Sequence, residues 1–303
     1  MDPGSQRFPL IIYLPSWSGT RIDNGRLACE MASHGFIVAG ITYPARLPGV
    51  TDAEYALQIS ELEIFPAYTS QEVYRALIGY STDRVRHRAR DVRWLLDTFV
   101  RIDAGDREAM FARRIDLTRI GTVGFSLGGA IAAETATMDP RINAAVNIDG
   151  RHWGTALHQG VRQPYLFIGD EQLMPTQLEL IASDPNRRYN AEADSFDYSQ
   201  LARNLRRNGG VQVRLPNINH MDFTDNGSES GLRRLLRPII SRNRINPARV
   251  LLILNTCVLA FLQKHLTTQA ALPLAEVTSI FPEVRIEIWD QVTAARSDSV
   301  IKS

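Results

Sequence analysis

The 303-residue chain is 44 % apolar and 22 % charged, and its 34 basic and 33 acidic residues leave a formal net charge of +1. That balance excludes a disordered or low-complexity protein, and it provides no global attraction to a polyanion such as nucleic acid. The length allows two domains, but a single long α/β domain accommodates it as well.

In chain order, short apolar runs alternate with helical patterns. Pro9–Leu14, Gly35–Thr42, Ile120–Gly124, Ala144–Asp149, Pro164–Ile168 and Val211–Leu215 read as strands. The first five are nearly continuous apolar runs, as expected where both faces of a parallel strand are covered. Val211–Leu215 alternates instead, which suits a sheet edge. Over Val85–Val100, Val85, Ala89, Val92, Leu95, Leu96 and Phe99 recur at helical spacing, with Arg86, Arg88, Arg90, Arg93 and Asp97 on the other faces. That arginine run reads as a solvated helix face. Asn246-Pro247 has the chemistry of a helix start, and the apolar helix after it should be buried. Its strongest apolar stretch, Val250–Leu262, is broken by Asn255 and Thr256 and is too short to span a bilayer.

The pattern predicts one doubly wound α/β domain over 1–303, with a mainly parallel sheet of about six strands and helices on both faces. Three longer connections interrupt it: Pro44–Asp83, Glu171–Gly210 and Thr224–Ile245. The first two, 44–83 and 171–210, read as pocket or lid insertions. Tyr55, Phe65, Tyr68, Tyr74 and Tyr80 in the first either line an apolar pocket or pack the loop on the sheet. The start, Met1–Ser5, reads as a cloning remnant and leaves the compartment open between cytoplasmic and secreted, a signal peptide having been removed in the second case. Cys29 and Cys257 cannot make a disulfide framework and are expected as free buried thiols, one bridge being the alternative. No CxxC or HExxH spacing supports a zinc site.

The strongest chemical signal is Gly124-Phe125-Ser126-Leu127-Gly128-Gly129, between a predicted strand and the helical run Ala130–Thr137. G-x-S-x-G in that setting is the nucleophile elbow of α/β-hydrolases: a turn so tight that glycines must flank it, with the serine hydroxyl standing clear at a helix N-terminus. A serine nucleophile needs a base late in the chain. Of the six histidines, His220 follows the last predicted strand, where the order Ser…Asp/Glu…His puts it. His34, His87 and His265 read as capping or surface residues, and His152 and His158 fall nearer the carboxyl edge, where a pocket would lie. An oxyanion hole needs the N–H after the nucleophile, here Leu127, and one from the loop after the first strand, Pro15–Thr20, where Trp17 is the expected donor.

Several runs together resemble the plasma/isoform-II-type platelet-activating factor acetylhydrolases. They are Phe8-Pro9-Leu10, Ala32–Val38 (ASHGFIV), Asp116–Gly121 leading into the elbow, and Leu259–Leu266 (LAFLQKHL). The resemblance covers about residues 8–266 and leaves the last segment unaccounted for. It implies Ser126 as nucleophile, His220 as base and Asp149 as acid, with Leu127 and Trp17 supplying the oxyanion N–H groups. There are departures. The family has Gly-x-Gly where this chain has Ser16-Trp17-Ser18, His-Gly at Pro15-Ser16, and His at Phe125. The chain also begins at the family's third strand, so either the sheet is trimmed to about six parallel strands or the N-terminal strands are missing.

The acid is the open choice. Most α/β-hydrolases carry it one strand later, where Gly169-Asp170-Glu171 fits; the resembled family's spacing from Ser126 favours Asp149, leaving Asp170 to cap a loop. The expectation is a serine ester hydrolase acting on small-molecule esters with short acyl groups, with no metal or organic cofactor, no nucleic-acid partner and no integral membrane segment. The oligomeric state is not legible. An amidase, or another acyl-transfer hydrolase on the same residues, is the alternative, with a non-catalytic binding protein on the same scaffold behind it.

Overall fold

The computed structural model describes residues 6–16, 21, 24–42, 68–105, 111, 113–171, 174–225 and 244–290. Trp17, Tyr55 and Phe65 lie outside the described residues, as do residues 44–67 of the predicted connection 44–83 and residues 226–243 of the predicted connection 224–245.

Chain order runs β1 (Phe8–Leu14), α1 (Gly25–Ser33), β2 (Ile37–Gly40), α2 (Gln71–Ala104), β3 (Ile115–Phe125), α3 (Leu127–Met138), β4 (Ile142–Ile148), α4 (Gly154–Gln159) and β5 (Tyr165–Asp170). It continues with α5 (Gln177–Leu180), α6 (Pro185–Asn208), β6 (Gly210–Leu215), a single 3₁₀ turn (His220–Phe223), α7 (Pro247–Leu266), α8 (Leu274–Ile280) and β7 (Arg285–Trp289). The strands form one sheet in the order β2-β1-β3-β4-β5-β6-β7. β1 to β6 are parallel, and β7 pairs antiparallel with β6.

The structure adds to and corrects the expected pattern in several places. The six parallel strands are joined by a seventh, antiparallel strand from the segment that the family resemblance leaves unaccounted for. In consequence β6 is not an edge strand. Its alternation has another cause, since Arg214 forms a cross-strand ion pair with Glu287 of β7. The predicted helix over Val85–Val100 is also the centre of a longer one, α2, which starts where Ser70 accepts a hydrogen bond from the Val73 N–H. The connection 171–210 is mostly helix, α5 and α6, and Asp184 with Pro185 begins the longer of the two.

The sheet is covered on both faces, and the pleat assigns the sides. Leu10, Ile12 and Leu14 of β1 pack with Val85, Val92 and Leu96 of α2 and with the alanines of α3. Ile11 and Tyr13 pack on the opposite face with Leu27 and Met31 of α1 and with α7. α3 is built largely of glycine and alanine and sits inside, Leu127 to Ala136 being buried, with its one carboxylate, Glu134, accepting from the Ala156 N–H. α7 is long and apolar enough to cross a membrane by length and composition, but its Val250, Ile253, Leu254, Cys257 and Phe261 are core residues here. Asn246 caps it by accepting from the Ala248 N–H. Both cysteines are free, and Cys29 is exposed on α1 instead of buried as expected; burial pushes the Cys257 thiol up to about 12.

Strand order reverses between β1 and β3. In open α/β sheets the crevice outside the carboxyl ends at such a switch is where ligands bind. The elbow after β3 and the carboxyl end of β1, after which the oxyanion loop is predicted, border it.

Candidate active site

Ser126 joins β3 to α3 with φ 56° and ψ −122°. A non-glycine residue in this sparsely populated region costs about 1–3 kcal/mol and persists only where its surroundings over-determine it. They do so here. The Ser126 N–H donates to the Ile148 carbonyl of β4 at 2.8 Å, and its carbonyl accepts from Gly129 and Ala130 at 2.9 and 3.2 Å. The flanking glycines are sterically required: a Cβ on Gly124 would sit 2.0 Å from the Gly128 oxygen, and one on Gly128 would sit 2.0 Å from the Leu14 oxygen. The second contact presses the first turn of α3 onto the carboxyl end of β1. The loop carrying Trp17 therefore departs from beside the elbow, although Trp17 itself is outside the described residues. Leu127 is the first residue of α3, so its N–H has no acceptor within the helix and points where the helix dipole favours negative charge.

His220 opens the 3₁₀ turn after β6, and its Nδ1 lies 2.6 Å from Asp149 Oδ2. Its imidazole stacks on the Phe125 ring at 4.6 Å between centroids. Phe125 directly precedes Ser126, so the stack sets the imidazole beside the elbow, and the Phe125 departure from the family pattern acquires a structural use. With Asp149 ionised, Nδ1 is the donor and Nε2 is left as the acceptor.

Asp149 follows β4 with φ 53°. Its N–H donates to Ile168 of β5 at 2.8 Å, and its Oδ1 accepts from the Asp170 N–H at 3.2 Å. Both carboxylate oxygens are thus engaged, and the contact with His220 is made by Asp149. Asp170 is brought close as well: it lines a cavity of about 220 Å³ with Asp149 and His220. On the far wall of that cavity, burial raises the Asp194 carboxyl against the pull of Arg151, and burial together with Asp194 and Asp170 raises the Tyr198 phenol.

Sequence reasoning missed the residues that hold these groups. Asn147, fully buried in β4, accepts from the Gly150 N–H and donates to the Gly150 carbonyl, each at 2.8 Å, and so braces the turn carrying Asp149. Buried Asn24 donates to the Phe223 carbonyl and accepts from the Tyr13 hydroxyl, tying the histidine turn to β1. Asp222, two residues past His220, accepts from the Asn219 N–H at 2.8 Å and from Arg244 at 2.5 Å. A polar residue inside an apolar strand run, as at Asn147, was the one available signal, because a buried amide must find partners. Asn24 and Arg244 carry no such mark.

The remaining histidines divide by environment. His34 is exposed beside Glu30. His265 packs on Phe261, and burial, with Lys264 adding, lowers it to about 4. Buried His152 is engaged by Asp197 at 3.2 Å and by the Tyr165 hydroxyl at 2.6 Å. Among the described residues, no group of three or more His, Cys, Asp or Glu could hold a metal ion.

The comparisons agree with this architecture. A Streptomyces cinnamoneus ferulic acid esterase superposes with a TM-score of 0.62 at 23 % identity, over 93 % of this chain and 74 % of that one. This likeness gives the fold, that of the α/β-hydrolases. Platelet-activating factor acetylhydrolase from Cavia porcellus is 23 % identical over 86 % of this chain and 58 % of its own length. The Gallus gallus enzyme is 24 % identical over 88 % of this chain and 63 % of its own. A probable 1-alkyl-2-acetylglycerophosphocholine esterase from Arthroderma benhamiae is 25 % identical over 53 % of this chain. The chain thus spans about six-tenths of the length of the first two relatives. The profile of the family described as platelet-activating factor acetylhydrolase, isoform II, matches residues 1–272, and the chain belongs to that family.

Proposed function

We propose that this chain is a carboxylic ester hydrolase in which Ser126 is the nucleophile, His220 the general base and Asp149 the acid that orients it. The observation that carries this reading is the 2.6 Å contact of His220 Nδ1 with Asp149, made by a histidine stacked on the residue before the strained serine. Ser126 Oγ attacks the ester carbonyl as His220 Nε2 takes its proton. The tetrahedral oxyanion is held by the N–H groups of Leu127 and Trp17. Collapse expels the alcohol, which takes the proton from His220 and leaves an acyl-serine. Water, deprotonated by His220, then attacks the acyl carbon and releases the acid with Ser126 restored. Asp149 stays ionised throughout and stabilises the imidazolium. A single oxyanion donor is worth about 10²–10³ in kcat in enzymes of this kind.

The family's names support esters with a short acyl group, and so does a bulky Trp17 in the oxyanion loop. Treatment with a fluorophosphonate should give one covalent adduct, on Ser126, and Ser126→Ala should abolish both the adduct and ester turnover. Across p-nitrophenyl esters the rate should peak at the shortest acyl chains. A wild-type protein with no adduct would rule the hydrolase reading out, and a maximum at about ten carbons or more would rule out the short-acyl preference.

A further inference from the structure

Two cavities open on the carboxyl side of the sheet, and they differ in chemistry. One, described above, holds His220 and Asp149 among carboxylates. The second, also about 220 Å³, lies between the first turns of α2, the start of α4 and the middle of α6, and its walls are Tyr74, Ile78, Trp153, Leu157 and Phe196. Arg151 and Asp197 border both. The second cavity is also close to the elbow. A Cβ on Gly150 would lie 2.1 Å from the Ser126 oxygen, so Arg151 is one residue beyond a backbone contact with the nucleophile.

We infer that this second cavity is the subsite for the alcohol part of the ester, and that it takes an uncharged, ring-sized apolar group such as an arylmethyl or cycloalkylmethyl. The inference rests on the hydrolase reading above and adds the substrate class to it.

Three observations carry it. The first is that the walls are preformed. Tyr74 stacks on Tyr189 at 5.2 Å and meets Tyr68 edge-on at 5.2 Å, while Trp153 and Leu157 are almost wholly buried. A pocket whose side chains are already packed binds without an ordering cost.

The second is that the polar groups at the rim are satisfied internally. Arg151 is ion-paired with Asp194, and both ring nitrogens of His152 are engaged by Asp197 and Tyr165. Arg75 is exposed, so its head group stays in water. Exposed His158, edge-on to Phe196, and half-buried Thr82 also reach the wall, so the case for a neutral group rests on the apolar side chains, against which it loses least on entry.

The third is size. An apolar cavity of about 150 Å³ is known to hold a benzene ring, so this one accepts a ring with its linking methylene but no long chain. Phe196, 46 % exposed on the mouth, gives an entering ring an aromatic face before it is buried. With a short acyl group on the serine, the ring is carried by the alcohol.

The test compares benzyl acetate with ethyl acetate, whose leaving alcohols differ little in acidity, and adds ethyl phenylacetate, which moves the ring to the acyl side. For the wild type, kcat/KM for benzyl acetate should exceed that for ethyl acetate by about tenfold or more, mostly through KM, and benzyl alcohol should inhibit competitively. Filling the cavity from α6 with Ala193→Phe, or from α2 with Ile78→Trp, should bring that ratio down to within about threefold. Either variant suffices if the other does not fold. A wild-type ratio near one, a ratio unmoved in both folded variants, or a preference for ethyl phenylacetate would overturn the subsite. Fluorophosphonate labelling of the same samples separates the two failures: no adduct on wild-type Ser126 rejects the hydrolase reading itself, whereas an adduct without the ratio rejects only the subsite.

Discussion

The elbow around Ser126 and the turn carrying His220 stand on the same sheet edge but are built by opposite means. The elbow is a local object. Six consecutive residues, a strand before them and a helix after them supply the strain, and missing side chains at Gly124 and Gly128 allow the close approach. The histidine turn is tied down by side chains from distant segments: Asp149 after β4, Asn24 before α1, and Arg244 before α7. A local object is fixed by steric exclusion, so small substitutions break it outright. An object made by convergence is fixed by a few polar contacts, so single substitutions should loosen it by degrees.

The sharpest test of that contrast is at the acid. Asp149→Asn removes the negative charge that holds the His220 tautomer and balances the imidazolium. By analogy with the protease triad, kcat should fall by up to about 10⁴. The fold should survive, because asparagine is among the residues that best tolerate a positive φ such as the 53° found here. Asp170→Asn should lose far less, since Asp170 meets the acid through its backbone N–H, which the substitution keeps. Turnover numbers for both variants, with melting curves as the fold control, decide the matter. A dead Asp170→Asn beside a near-normal Asp149→Asn would reverse the assignment.

Asn24 tests the other kind of construction. Asn24→Ala removes the hydrogen bond that the Phe223 carbonyl accepts in the buried turn, together with the contact to the Tyr13 hydroxyl. The expected loss is about 1–3 kcal/mol of stability, which corresponds to roughly 2–5 °C in Tm for a chain this size. If the histidine turn shifts by about 1 Å, kcat falls by as much as about 10² with KM little changed. Full activity at a lowered Tm would show that Asn24 supports the fold without positioning His220.

How much of this was legible follows the same division. The elbow, the strands around it and the histidine after β6 could be read, because each leaves a local pattern: glycine spacing, apolar runs, position along the chain. β7 was also legible in principle. Arg285-Ile286-Glu287-Ile288 alternates as a half-solvated strand should, but the segment lay outside the family resemblance, and β6 was placed at the edge in its stead. The second cavity is half-legible: an aromatic such as Tyr74 in that connection either lines a pocket or packs, and Tyr74 does both, lining the cavity and stacking on Tyr189. Trp153 and Phe196 reach the same place from segments about 80 and 120 residues further on, and no periodicity records that. Asn24 and Arg244 lie outside any periodic run, just before the helices α1 and α7, so their partners appear only once the chain is folded.

Arg244 should give the smallest effect and the finest resolution of the comparison. Its guanidinium reaches Asp222, whose side chain is largely buried and also accepts from the backbone N–H of Asn219. The pair is partly solvated on the arginine side, so removing it should cost less than breaking a fully buried one. Arg244→Leu leaves Asp222 anchored by the Asn219 N–H alone. The His220 turn then gains freedom about its own start, and the fraction of molecules with Nε2 aimed at Ser126 falls. A tenfold loss in kcat corresponds to about 1.4 kcal/mol, a reasonable size for one charge-assisted hydrogen bond. KM should hardly move, because Arg244 touches neither cavity among the residues described as lining them. Arg244→Lys keeps the charge but loses the planar fork, and it should restore part of the lost kcat. Parallel losses in Arg244→Leu and Arg244→Lys would mean that fork geometry matters more than charge. Unchanged turnover in both would show that the Asn219–Asp222 contact holds the turn without help.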